Sequence, residues 1–358
     1  MKRAHTVAIV VFTIFLFFNI KVLSSHNWDP RAFILERRPE VPLEQGWDIG
    51  YDAQWYYLIA VDPQGAASEL DAPSFRYQRI VYPILIRIVS LGRVDWMPWA
   101  MLAINLAAAS MITAILADLL ARRGVSSWFA LMPALSLGFA LSMRLDLLEP
   151  LTIALALCGW ITFSEKKPAV GILFFALSGL TKEIGLIFPL AIASCLLWQG
   201  KWRSATWTVA GSIMPYLAWQ ACLAYWLGVS AGASEASQLN LVPFSGFFII
   251  RDLPSRMLVG LWAILPAILG GLGLTWDIFK RPTVLNYPEF YLVLLQVALV
   301  VTLPNPTWLD PLAVLRTATG LLVSLLLWFA VRHPRGLPYL GAYYIPSVMI
   351  MVIVPGLL

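Results

Sequence analysis

The chain predicts an all-α polytopic membrane protein, and three observations carry that reading. Of its 358 residues, 59% are hydrophobic and only 13% charged, with a mean hydropathy of +0.75, far from a soluble domain. Several apolar stretches reach about 18 residues or more, the length that crosses roughly 30 Å of hydrocarbon. The basic residues are placed as topology signals. Twelve of the 25 Lys and Arg fall in six short breaks: Lys2/Arg3, Arg122/Arg123, Lys166/Lys167, Lys201/Arg203, Lys280/Arg281 and Arg332/Arg335. If every second break faces the cytoplasm, all six lie on that side, as the positive-inside rule expects. The net charge of +5 then encodes orientation, and no nucleic-acid partner is needed to explain it.

With the amino terminus inside, the spans fall at 5–24, 95–120, 126–143, 146–163, 169–181, 184–199, 204–227, 257–279, 287–303, 311–331 and 338–356, about eleven helices in one transmembrane domain covering 1–358. The first apolar run follows Met-Lys-Arg like a signal peptide. No small-x-small cleavage site comes after it, so a retained anchor is expected. Pro150, Pro189, Pro215 and Pro266 inside spans predict kinks. Cys158, Cys195 and Cys222 all lie in apolar runs and read as packing residues. His5, His26 and His333 show no metal-ligand spacing.

The polar features gather on the opposite, extracytoplasmic face. The loop 25–94 alone holds nine of the 20 acidic residues and seven arginines. Within it, Asp52 to Ala60 and Arg79 to Leu91 read as short juxtamembrane amphipathic helices, too short to span. The Arg144/Asp146/Glu149 turn, Thr181-Lys182-Glu183, the loop 228–256 and Pro304 to Asp310 complete that face. Ionisable groups at membrane depth are costly and point to function, so chemistry is expected there.

One span, a large acidic outer loop with two juxtamembrane helices, then many spans: this order resembles the GT-C superfamily of integral-membrane glycosyltransferases. The local pattern is most similar to the mannosyltransferase that adds the second mannose of GPI anchors, and to its bacterial relatives. In that family a Trp-Asp motif is followed by Tyr at four positions and Ile-Ala at seven and eight; here Asp52 is followed by Tyr56 and Ile59-Ala60. The family's aromatic-Pro-Leu-Tyr-Pro-Leu-Leu stretch meets Arg79-Ile-Val-Tyr82-Pro83-Ile-Leu, and its Leu-Thr-Arg-x-x-Gly meets Leu180-Thr181-Lys182-Glu183-Ile184-Gly185. Tyr51 replaces the family's tryptophan, Gly50 the preceding arginine and Lys182 the later arginine.

The resemblance implies inverting transfer of a sugar from a polyprenyl-phosphate donor to a hydroxyl on an acceptor glycan, lipid or protein. That reaction asks for a carboxylate to take the acceptor's proton, and for cations to meet the departing phosphate. Asp52 is the expected general base, although an Asp opening a helix also serves as a cap or dipole partner. Asp48 lies four residues earlier. A helix already formed there would put both carboxylates on one face, able to hold a divalent cation. Gly50 between them opposes that helix, so no cofactor is expected and Asp48 becomes a supporting or acceptor-binding carboxylate.

Arg79 and Lys182 are the leading phosphate-binding candidates, with Arg76 and Arg144 behind them, where snorkelling competes. Glu149 and Glu183 either pair with these cations or bind sugar hydroxyls. Tyr56, Tyr82 and Trp47 are substrate-binding candidates, while Trp55 and Tyr57 suit an interfacial aromatic belt. Asn305, Trp308 and Asp310 form a further outer cluster that could receive the acceptor. Two rival functions stand beside the enzyme: a transporter or flippase of a lipid-linked saccharide, and a non-catalytic assembly subunit. Transporters usually show paired halves and mid-bilayer charge, which this chain lacks. The composition leans towards a bacterial inner membrane with the working face outside the cytoplasm.

Overall fold

The computed structural model describes residues 2–36, 50–228 and 240–353. Among the described residues the chain is all helical and contains no strand. In chain order the helices are α1 (Lys2–Ser25), α2 (Asp52–Val61), α3 (Pro73–Tyr77), α4 (Val81–Val89), α5 (Met97–Arg122), α6 (Leu131–Ala134), α7 (Leu137–Arg144), α8 (Glu149–Ser164) and α9 (Pro168–Thr181). They continue with α10 (Ile187–Trp198), α11 (Trp202–Leu227), α12 (Leu253–Val259), α13 (Leu265–Lys280), α14 (Pro288–Val301), α15 (Asn305–Leu309), α16 (Pro311–Thr317), α17 (Thr319–Arg332) and α18 (Leu337–Ile353).

Among the described residues four helical stretches are long and apolar enough to cross a membrane: Ala4–Ser25, Val94–Arg122, Leu253–Lys280 and Pro311–Arg332. A fifth arises if α7 and α8, bent by 117° across the short break between them, count as one. The expectation of about eleven full crossings therefore goes beyond what helix length and composition show. Several expected spans are instead shorter apolar helices, such as α9, α14 and the stretch Glu183–Trp198. The span expected at 126–143 is divided into a 3-10 turn, α6 and α7. Helix α11 reaches 26 residues, but its Trp, Tyr, Thr, Ser and Gln content keeps it out of the most apolar class. Proline explains part of the shortening. Pro150 opens α8 and Pro189 lies in the first turn of α10, where a missing N–H costs little, so neither kinks a helix. Pro215 does lie inside α11, and Pro266 follows a π-turn at Gly260–Ile264 that absorbs its clash.

Packing relies on close backbone approach. Gly159 of α8 faces α9, and a Cβ there would stand 2.5 Å from the Phe175 ring. Such small-residue contacts let apolar helices associate where lipid supplies no hydrophobic force. Gly138 of α7 is tighter still: a Cβ there would fall 2.1 Å from the Leu315 carbonyl oxygen of α16. The largest apolar cluster joins α1, α5, α8, α9, α10 and α17, and a second joins α13, α14, α16 and α17.

The first loop contributes α2 and α4 at the expected positions, but α2 differs in character. Ala53, Gln54, Trp55, Tyr56, Tyr57, Ile59 and Ala60 are all buried, so α2 is enclosed by protein and has no wet amphipathic face. One side meets Tyr82, Ile86, Met97 and Met101, the other meets Tyr77 and Leu223 of α11. Aromatic residues at successive positions account for this, because a helix apolar all round is a buried helix. Helix α4 keeps the expected amphipathic form, with Tyr82, Pro83 and Ile86 inward and Ile84 and Ile88 exposed.

Candidate functional site

Asp52 stands where α2 begins. Gly50, at φ +78°, turns the chain before it, a conformation glycine adopts without strain. Helix α2 therefore starts at Asp52, with Tyr51 at the cap position making no side-chain cap bond. Asp52 does not cap its own helix. Its Oδ1 accepts from Arg76 Nη1 at 2.7 Å, and its Oδ2 lies 3.7 Å from Arg316 Nη2. Its side chain is 25% exposed, towards a cavity of about 620 Å³.

That cavity gathers segments distant in sequence. Arg76 comes from α3, Arg79 from the turn before α4, Lys182 and Glu183 from the end of α9, Asp310 and Arg316 from α15 and α16. Arg79 holds Glu183 in a bidentate pair (Nη2 to Oε1 2.8 Å, Nε to Oε2 3.2 Å) and donates from Nη1 to Tyr56 Oη at 3.0 Å. Arg76 makes a second fork onto Asp71. Glu149, fully buried at the start of α8, accepts from Lys182 Nζ at 2.7 Å and lies 3.3 Å from Arg316 Nη1. Arg316 lies over the Tyr51 ring at 4.8 Å, and the Tyr51 hydroxyl donates to Asp310. The lining also includes the apolar side chains of Phe75, Ile184, Leu299 and Leu303, with the Arg79 and Arg76 guanidiniums over the Phe75 ring at 4.5 and 5.4 Å.

Arg76, Asp52, Arg316, Glu149 and Lys182 thus form one chain of alternating charge, with the Arg79–Glu183 pair and Asp310 beside it on the cavity wall. Burial alone would raise the Asp52 carboxyl, but Arg76, then Arg316, Arg79 and Lys182 outweigh it and hold it well below the usual carboxylate range. Burial pushes the Tyr56 hydroxyl up to about 12, against the pull of Arg79, so it stays protonated. Two atoms at the base of the network, Glu149 Oε2 and Arg316 Nε, are buried without a hydrogen-bond partner. Desolvating so many charges costs stability, and such arrangements are retained for reasons other than folding.

The expected site residues separate into groups. Asp52, Arg76, Arg79, Lys182 and Glu183 line the cavity, and Glu149 supports it from beneath. Tyr56 is reached through Arg79 and does not line it. Tyr82 is buried behind it, where Asn105 Nδ2 donates to Tyr82 Oη at 3.1 Å and to Asp146 Oδ1 at 2.6 Å. Arg144 does not line the cavity: its Nη1 donates to the Ala32 carbonyl at 2.9 Å and its guanidinium lies over the Phe33 ring. Asp48 and Trp47 lie outside the described residues. Of the later cluster, Asp310 lines the cavity, while Trp308 is buried and Asn305 accepts from Asn240. Among the described residues no group of three or more His, Cys, Asp or Glu could hold a metal ion.

Arg316 was not among the expected site residues, although it touches both key carboxylates. Its signal was present: an arginine five positions into an otherwise apolar span. Gln78, with Tyr216 and Gln220 donating to its Oε1, is a second unanticipated polar row on the cavity wall. No family model, no characterised protein and no solved structure matches this chain.

Proposed function

We propose that the chain is an integral-membrane glycosyltransferase of GT-C type that moves a sugar from a polyprenyl-phosphate donor to an acceptor hydroxyl, with inversion. The observation that carries this reading is Asp52 in the lining of a cavity that also carries four cations and the apolar side chains of Phe75, Ile184, Leu299 and Leu303. A lipid phosphate needs both halves: cations for its oxygens, and apolar surface for its chain.

Asp52 is the general base. Paired with Arg76 and Arg316, it is a restrained anion and therefore a weak base. A donor phosphate competing for those guanidiniums would release that restraint and raise its basicity. The acceptor oxygen attacks the anomeric carbon as its proton passes to Asp52; the carbon–phosphate-oxygen bond breaks and leaves the lipid phosphate on Arg76, Arg79, Lys182 and Arg316. Glu149 keeps Lys182 and Arg316 in place. This reading sets the cavity on the extracytoplasmic face, most simply of a bacterial inner membrane. No cofactor is assigned.

The deciding experiment uses the full chain in lipid with polyprenyl-phosphate mannose, glucose or arabinose. Wild type should release lipid phosphate from one donor. Asp52→Asn should lose transfer by about 10²–10⁴-fold while still binding that donor. A second reading, a carrier of lipid-linked saccharide, is favoured by the 117° break between α7 and α8, because broken helices recur in transporters. Flux that survives Asp52→Asn, with no donor cleavage by wild type, would select the carrier.

A further inference from the structure

A second cavity lies at the far end of the same bundle. Helices α16 and α17 together run from Pro311 to Arg332. Arg316 and Arg332 are 16 positions apart on that stretch, roughly 24 Å at 1.5 Å per residue, so they mark opposite ends of one span. The far cavity encloses about 820 Å³ between α13, α17 and α18, and it contains none of the residues of the Asp52 site.

Its shape is that of a slot with one charged end. From Pro266 down to Trp276, α13 presents apolar residues and glycines to the slot, about 10 residues or 15 Å, which matches half of the ~30 Å hydrocarbon thickness. Gly273 contributes the width, since a Cβ there would meet nothing within 4 Å. At the head stand Arg332 and Arg335, with Lys280 close by over the Trp276 ring at 4.8 Å. The acid among them, Asp277, is buried and already engaged, with its Oδ2 2.9 Å from His333 Nε2. Arg332 Nε is buried without a hydrogen-bond partner. Trp276 and Tyr339 are 62% and 79% exposed beside these cations, the position aromatic residues take at headgroup level.

We infer that this slot is a binding site for an anionic phospholipid of the leaflet opposite the Asp52 cavity, with one acyl chain along α13 and the phosphate on Arg332 and Arg335. Charge complementarity and a depth of one leaflet select this occupant over a zwitterionic lipid, which would leave the cationic head uncompensated. The inference does not depend on the glycosyltransferase reading.

The test is native mass spectrometry of the full chain released from detergent with equal amounts of dioleoyl-phosphatidylglycerol and dioleoyl-phosphatidylcholine. Wild type should retain the phosphatidylglycerol preferentially, by about fivefold for each arginine engaged. Arg335→Gln should cut that preference by about fivefold, and Arg332→Gln with it should abolish it. Gly273→Leu, which fills open space and removes no charge, should reduce retention of phosphatidylglycerol; it decides the matter should the double variant fail to fold. Arg122→Gln, a charge removed at the same end but outside the slot, should change nothing. Equal retention of the two lipids, full retention by Gly273→Leu, or displacement by an equal concentration of free glycerol 3-phosphate would each overturn the assignment.

Discussion

The two ends of the bundle use charged residues in contrasting ways. At the far end, where Arg123 also holds the buried Glu289, the pairs that close α5 and α8 remain in contact with water: Arg122 bridges Asp118 and Glu165 with 49% of its side chain exposed, and Lys167 is 64% exposed. At the cavity end, Arg79 and Arg316 are both 5% exposed, and every carboxylate they touch comes from a distant part of the chain. The first arrangement is what topology requires. The second removes several charges from water and links them to one another around a cavity, at a desolvation cost that the proposed site would account for. Charge at a helix end is thus uninformative until its burial and its partners are known.

The largest effect that would sharpen this contrast is on turnover. Asp52→Asn should lower transfer by about two to four orders of magnitude, whereas Glu165→Gln, an equally conservative change at the far end, should leave it within about twofold. Comparable losses from both would remove the distinction between the ends. Stability comes next. Glu149→Gln leaves Lys182 and Arg316 facing each other without their shared buried carboxylate, and should cost about 3–5 kcal/mol in thermal unfolding, against less than about 1 kcal/mol for Glu165→Gln.

Arg79→Lys retains the charge but loses the fork onto Glu183 and the bond to Tyr56, so donor binding should weaken by roughly 10-fold or more in a lipid-binding titration. An unchanged affinity would reduce Arg79 to a structural cation. The smallest effect is a shift on the pH axis. Asp52 titrates below the ordinary ~3.9, so the stability and reactivity of its ionised form are present at neutral pH and disappear only as pH falls through that depressed value. The acid limb of kcat/KM should therefore lie below about pH 4 in wild type and move upward in Arg76→Gln, which removes the nearest opposing charge. A limb that does not move would show that some other group governs it.

Much of this site could be read from the residues alone, for a physical reason. Apolar runs leave few places for charge, so Asp52, Arg76, Arg79, Lys182 and Glu183 were conspicuous before their meeting was known. What sequence order could not supply was the pairing. Glu149 stands 33 positions from Lys182 and 167 from Arg316, and the packing of α8 against α9 and of α16 against α7 brings them together. Arg144 was as conspicuous, yet it lies over Phe33 and donates to Ala32 instead of lining the cavity. Hydropathy marks apolar sequence without marking where a helix begins and ends, so only four or five of the expected crossings are matched by helix length, and the aromatics of α2 conceal a buried helix behind an interfacial composition.

Gly138 bears no charge and lies outside the Asp52 cavity, but its missing side chain lets α7 rest directly on the Leu315 carbonyl, one residue before Arg316. A saturation library scored for growth or transfer would accordingly find a second kind of intolerant position, silent by chemistry and decisive by register. Gly138→Ala would displace a guanidinium it never meets. Designers wishing to retune the site should leave that seam alone and vary the Gln78, Tyr216 and Gln220 row instead.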